Sequence, residues 1–290
     1  MAMSAHRPIV VGVDGSAPAL QAVIWGAREA KERGVPLALV TTVSIRGFHG
    51  TPGGMPAGFF EQEEGEGRKR LSEATDRAHR AASGLEVESH LCTGSPVLEL
   101  IERSKTASMV VVGAGHSRLG WERFGSVSSS LVLHTHAPAV VVRDLPYIDV
   151  SDITGPVVLG VDGSEDNSRA VELAFDEAAR RDVELVAVHA WSDVDVRSPF
   201  RFRIDWDAVE TRERALLSEN LAGYVEQFPD VPVRPIVAMD QPSHNLAAHA
   251  ANAQWLVLGR RGRGGFPNML LGSTTWALLH TVLCPLMVVP

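Results

Sequence analysis

A chain of 290 residues, 45% hydrophobic and 21% charged, has the make-up of a soluble globular protein and a length that favours two domains. Its formal charge of −8 argues against a nucleic-acid surface, which needs many Lys and Arg contacts to phosphate. No apolar run reaches the roughly 18 residues of a membrane span and no signal-peptide pattern opens the chain, so a cytoplasmic protein without a membrane partner is expected.

In chain order, Ile9 to Val13 is apolar on both faces apart from Gly12, as a parallel strand covered by helices on each side must be. Gly15 permits a tight turn, and Ser16 is placed to cap a helix beginning near Pro18. That helix keeps Leu20, Val23, Ala27 and Ala30 on one face, and Gly34 is its expected stop. Leu37 to Val43 follows as a second buried strand. A Gly/Pro-rich stretch, 47–58, precedes a charged, weakly amphipathic helix over 63–82. Leu85 to Cys92 alternates like a strand with one wetter face, and a helix over 96–104 starts at Ser95-Pro96. Met109 to Val112 is another fully apolar strand. After it come a glycine-rich loop to Gly125-Ser126, a helix to about Leu133, and a last strand, Ala139 to Val142, behind Pro138.

The chain then repeats itself. Ile9-Val-Val-Gly-Val-Asp-Gly-Ser16 returns as Val157-Val-Leu-Gly-Val-Asp-Gly-Ser164, Gly125-Ser126 as Gly272-Ser273, and Pro138 as Pro285. Landmarks in one order at nearly constant spacing, 148, 147 and 147 residues, indicate a duplicated domain. Strands are expected near 157–161, 184–190, 232–237, 255–258 and 286–289. The joint is the polar stretch between Arg143 and Pro156, giving domains over 1–143 and 156–290 with a linker at 144–155. The alternation of strand and helix predicts an α/β fold: in each domain a five-stranded, doubly wound parallel sheet with helices on both faces.

In such sheets a ligand sits beyond the carboxyl ends of the strands, where strand order reverses. Two loops per copy fall there. One is Val-Asp-Gly-Ser after the first strand. The other, in copy two, runs Gly259-Arg-Arg-Gly262, nine residues, then Gly272-Ser273-Thr274 opening a helix. Glycines let backbone N–H groups approach a ligand, and a helix start with a hydroxyl suits phosphate. Arg260, Arg261 and Arg263 supply positive charge in a half that has no lysine, none occurring after Lys105. That absence excludes a P-loop lysine and Schiff-base chemistry there.

With these motifs the chain resembles the universal stress protein family in its tandem form, whose nucleotide-binding members carry Gly-x2-Gly-x9-Gly-Ser/Thr. The resemblance covers almost the whole chain. It implies Rossmann-like domains of the adenine nucleotide alpha hydrolase type, with ATP in each competent domain, where Asp162 could hold a Mg²⁺ ion with the phosphates. It places the adenine near Asp14 or Asp162 and the backbone around Thr42 or Ala190. Ribose and phosphates fall to the glycine loop, so the second site is Asp162, Ala190, Gly259, Arg261, Gly262, Gly272, Ser273 and Thr274. Copy one, with Asp14, Thr42, Gly113, Gly115, Gly125 and Ser126, departs from the pattern. Its Gly-x2-Gly is one residue short, and Trp121-Glu122 stands where copy two has Pro267-Asn268, so a weaker, altered or empty first site is expected.

No catalytic constellation stands out: Gly-x-Ser-x-Gly and His-Glu-x-x-His are both absent. The resemblance implies a nucleotide-binding regulatory protein in stress response or growth control, and the lack of a catalytic constellation leaves at most slow ATPase activity as the expectation. Alternatives are a slow ATPase, a cyclic-nucleotide binder, or a ligand-free interaction module. The expected partners are ATP, an unidentified regulatory protein, and a second copy or an intrachain pseudo-dimer formed through the last strands, 139–142 and 286–289.

Overall fold

The computed structural model describes residues 7–43, 58–114, 126–143, 154–191, 206–239, 241–262 and 270–290. The chain divides into two compact units, within residues 1–151 and 152–289. The first contains β1 (Ile9–Gly12), α1 (Ala17–Arg33), β2 (Leu37–Val43), α2 (Phe59–Ala81), β3 (Val87–Thr93), α3 (Pro96–Ser104), β4 (Met109–Ala114), α4 (Ser126–His134) and β5 (Ala139–Arg143). Its strands lie in the order β3-β2-β1-β4-β5, all parallel. The second unit contains β6 (Val157–Gly160), α5 (Ser168–Arg181), β7 (Leu185–Trp191), α6 (Trp206–Gln227), β8 (Val233–Met239), α7 (Pro242–Ala250), β9 (Trp255–Gly259), α8 (Ser273–Thr281) and β10 (Leu286–Val289). Its parallel order, β8-β7-β6-β9-β10, is the same arrangement. These are two tandem Rossmann-like domains, as the sequence indicates.

The local reasons are those the sequence carries. Ser16 caps α1, its Oγ accepting from the Ala19 N–H at 3.4 Å, and Gly34 ends the helix at φ 66 with its own N–H on the Ala30 and Lys31 carbonyls. In α5 the same left-handed stop is made by Asp182, at φ 52. Residues of β1, β4, β5, β6, β9 and β10 are buried almost without exception, because helices cover both faces. Within each unit α1 packs with α2 and α3 with α4, or α5 with α6 and α7 with α8. Strand order therefore reverses between β1 and β4, and between β6 and β9.

Boundaries moved by a few residues. The expected helix over 63–82 begins at Phe59, and the strand expected from Leu85 begins at Val87. β1 ends at Gly12, although the Val13 N–H still donates to the Val40 carbonyl at 2.8 Å. The two first helices also start differently. α1 begins directly after Ser16, whereas a 3-10 turn, Glu165–Asn167, precedes α5.

Candidate functional site

At the end of β6 the chain turns through Gly163, at φ 71. Asp162 organises this turn: its Oδ1 accepts from the Ser164 N–H at 2.8 Å and from the Ser164 hydroxyl at 2.7 Å. The first unit repeats the geometry, with Ser16 donating its N–H and hydroxyl to Asp14 Oδ1 at 2.9 and 2.6 Å, and Gly15 at φ 83. Its turn is exposed, whereas that of the second unit is half-buried.

The loop after β9 converges on this turn. A Cβ on Gly262 would stand 2.7 Å from Asp162 Oδ2, so the two loops meet carboxylate to bare Cα. The neck is fixed at both sides. The Arg260 N–H donates to the Val289 carbonyl at 2.7 Å, and the Gly272 N–H to the Arg260 carbonyl at 2.9 Å. From α8 the buried Thr275 hydroxyl donates to the Gly259 carbonyl at 3.0 Å. A Cβ on Gly272 would lie 3.8 Å from the Gly262 nitrogen, so the three motif glycines gather at the start of α8. Gly272 has ordinary extended geometry, φ −67 and ψ 146, and caps α8, whose exposed first residue is Ser273. Thr274 is half-buried beside it.

Charge follows the same loop. Arg261 is exposed and Arg260 half-buried. Burial, and then the neighbouring Arg261 charge, lower the Arg260 pKa, with Asp166 opposing. A cationic loop beside a helix N-terminus suits an anion. Ala190 stands next to last in β7, paired in register with Ala238 and half-buried. Residues 263–269, including Arg263, lie outside the described residues.

In the first unit Gly113, next to last in β4, has different surroundings. A Cβ there would lie 2.2 Å from the Pro18 carbonyl carbon and oxygen, so its bare Cα accommodates the first turn of α1. In the second unit the corresponding room beside Gly259 holds a side chain, Asn167, whose Nδ2 would be 3.2 Å from a Gly259 Cβ. The Arg70 stem lies along Gly15, its Cγ 3.2 Å from where a Cβ would stand. Thr42 is half-buried near the end of β2, beside Cys92 in register. Gly115 and Gly125 lie outside the described residues, as does the side chain of Ser126.

Two groups at the second site escaped the sequence pattern. Asn167 is 3% exposed, donates from Nδ2 to the Gly160 carbonyl at 3.2 Å, and leaves its Oδ1 without a partner. His189, 5% exposed, lies with Nδ1 2.7 Å from the Val161 carbonyl and Nε2 3.0 Å from Glu213 Oε2. The available signal was comparative: Ala19 and Thr41 occupy these positions in the first copy.

The described residues contain no helix long and apolar enough to cross a membrane. A sequence profile of the universal stress protein family matches residues 5–143 and again 154–290. A universal stress protein of Mycobacterium tuberculosis (strain ATCC 25618 / H37Rv) is 40% identical over 285 residues, covering 97% of this chain and 96% of the relative. A second from the same strain is 38% identical over 285 residues, covering 97% and 95%. Among solved structures, a universal stress protein from Archaeoglobus fulgidus DSM 4304 superposes with a TM-score of 0.72 at 19% identity, covering 97% of this chain and 95% of that one. At that identity the likeness concerns the fold.

Proposed function

The chain belongs to the universal stress protein family, and we propose that it is a cytoplasmic, nucleotide-responsive regulator of stress response or growth whose second unit binds ATP. The observation that carries this reading is the convergence of Asp162, Gly259, Gly262 and Gly272 at the reversal of strand order between β6 and β9. Adenine would lie between Asp162 and Ala190. The phosphates would rest against the backbone of the glycine loop and the start of α8, with Ser273 as hydroxyl donor and Arg261 as counter-charge. Mg²⁺ would accompany them.

The cradle fits such a group. Gly262 and Gly272 are absent from the positive-φ glycines, so neither needs glycine for its backbone. What both provide is space and accessible N–H groups. The sequence carries no recognisable catalytic constellation, and the reading is of a binder acting through protein contacts. In the first unit, Pro18 against Gly113 favours a weaker site.

The test is to purify the chain without added nucleotide, denature it, and identify and count what is released by mass spectrometry. About one ATP per chain is expected, with ATP binding seen calorimetrically after stripping. Two per chain would overturn the inequality of the units. None, with no heat of binding, would leave an interaction module in place of a nucleotide sensor.

A further inference from the structure

We propose that His189 and Glu213 hold one shared proton that braces the second nucleotide site, making them positioning residues whose proton is linked to nucleotide affinity. The inference deepens the ATP reading and rests on it for its binding readout.

The donors and acceptors at these two contacts set a proton count. The Val161 carbonyl can only accept, so Nδ1 of His189 carries hydrogen. A neutral imidazole then has only a lone pair at Nε2, which lies 3.0 Å from Glu213 Oε2. An ionised carboxylate offers a lone pair as well. Both contacts are hydrogen bonds together only if the pair holds one proton beyond a neutral ring and an ionised acid, on the ring or on the carboxyl. Without it, two lone pairs face each other at a buried position, where an unmade hydrogen bond is costly.

The pair connects to the site through the backbone. Val161 immediately precedes Asp162, and its N–H donates to the Val188 carbonyl at 2.9 Å. His189 immediately precedes Ala190. The imidazole therefore ties the ends of β6 and β7, which carry both proposed adenine contacts, to α6. In the first unit Thr41 takes the place of His189 and is buried. Counting back from β3 and β8, the residue equivalent to Glu213 is Gly67, where a Cβ would stand 2.6 Å from Leu91 Cδ1. That unit has no titratable pair here.

Among the described residues, other titratable groups stand on the elements around the pair. Asp162, beyond Val161, already accepts from Ser164. On α6, Glu210 and Arg214 bond each other in solvent, and Arg212 is exposed. β8 opposes His189 with Val237 and carries Arg234 at its start, bonded to Glu184. α7 contributes His244 and His249, and α5 keeps Glu177, Arg180 and Arg181 in its last turn.

The test is calorimetric titration of the full chain with ATP from about pH 5 to about pH 9, which spans the range of about pH 5 to 8 in which histidine ordinarily changes charge. Wild type should lose affinity as pH rises and the proton leaves, by at most about tenfold per pH unit, the limit for one linked proton. Glu213→Gln is the decisive variant. Its amide donates to the Nε2 lone pair of a neutral ring, keeping both contacts without the extra proton. It should bind at alkaline pH as wild type does at acid pH, with a flattened profile, while His189→Thr should be weak throughout. ATP's own ionisation is common to all three and cancels in the comparison. A Glu213→Gln profile with the wild-type slope overturns the proposal. If no variant binds ATP at any pH, the nucleotide reading fails and NMR of the free protein decides on the brace. A doubly protonated ring, or a protonated Glu213, supports it; a singly protonated ring facing an ionised Glu213 at the acid end overturns it.

Discussion

Gly262 and Gly272 look alike in the motif but differ in what surrounds them. The nearest heavy atom to a Cβ on Gly272 is 3.6 Å away, an ordinary contact, and its backbone angles suit alanine. On the proposed reading, Gly272→Ala should therefore fold normally and lose most ATP binding, because the methyl group would stand where the site is proposed to hold phosphate. Calorimetry and urea unfolding on one preparation would check both halves, and unchanged affinity would remove Gly272 from the site. Gly262→Ala instead meets Asp162 Oδ2 at 2.7 Å and must displace that carboxylate, so it perturbs binding through Asp162 as well. Thr275 works from below. Its hydroxyl satisfies the Gly259 carbonyl in a buried place, and Thr275→Val should cost about 1–2 kcal/mol in urea unfolding of the second unit. A loss near zero would mean that water or a shifted loop replaces the bond.

The first helix of each unit shows how far one element sets a neighbour's fate. α1 runs its first turn so close to β4 that Gly113 has no room for a Cβ, with Pro18 backbone atoms at 2.2 Å. Gly113→Ala should thus destabilise the first unit by at least about 2 kcal/mol, since main chain and not a flexible side-chain tip must yield. Equilibrium unfolding would show it, and a neutral result would mean that α1 can slide along the sheet. Ahead of α5, the 3-10 turn sets Asn167 in the equivalent gap. These elements were largely legible in the sequence, because two-sided apolar runs such as Met109–Val112, caps such as Ser16 and stops such as Gly34 encode burial and chain direction locally. The glycine loop was legible for the same reason: its spacing is local. The 3-10 turn was not, since Val-Asp-Gly-Ser is identical in both copies and the divergence lies in packing against another strand. Nor was the pairing of His189 with Glu213, which depends on where α6 rests on the sheet.

At the scale of the molecule, the two copies share a fold and differ around the loops where the site is proposed. The second unit has the full-length glycine loop, a half-buried Asp162 turn, Asn167 and the His189–Glu213 pair. The first has an exposed Asp14 turn, a packed Gly113, and Thr41 with Gly67. If this divergence is functional, ATP should stabilise the units unequally. A ligand bound only to the folded form at a hundredfold excess over its Kd adds about 2.7 kcal/mol, close to a hundredfold in the opening equilibrium. Hydrogen exchange of the intact chain can read the two units separately. Amides of β6, β9 and α5 that exchange by unit-wide opening should slow by up to about a hundredfold with ATP, while those of β1, β4 and α1 change little. Gly272→Ala should abolish the slowing in the second unit and leave the first untouched. Equal protection of both units would show that the shortened loop of the first copy still binds, and that the differences at Gly113 and Thr41 adjust packing without deciding which site holds nucleotide.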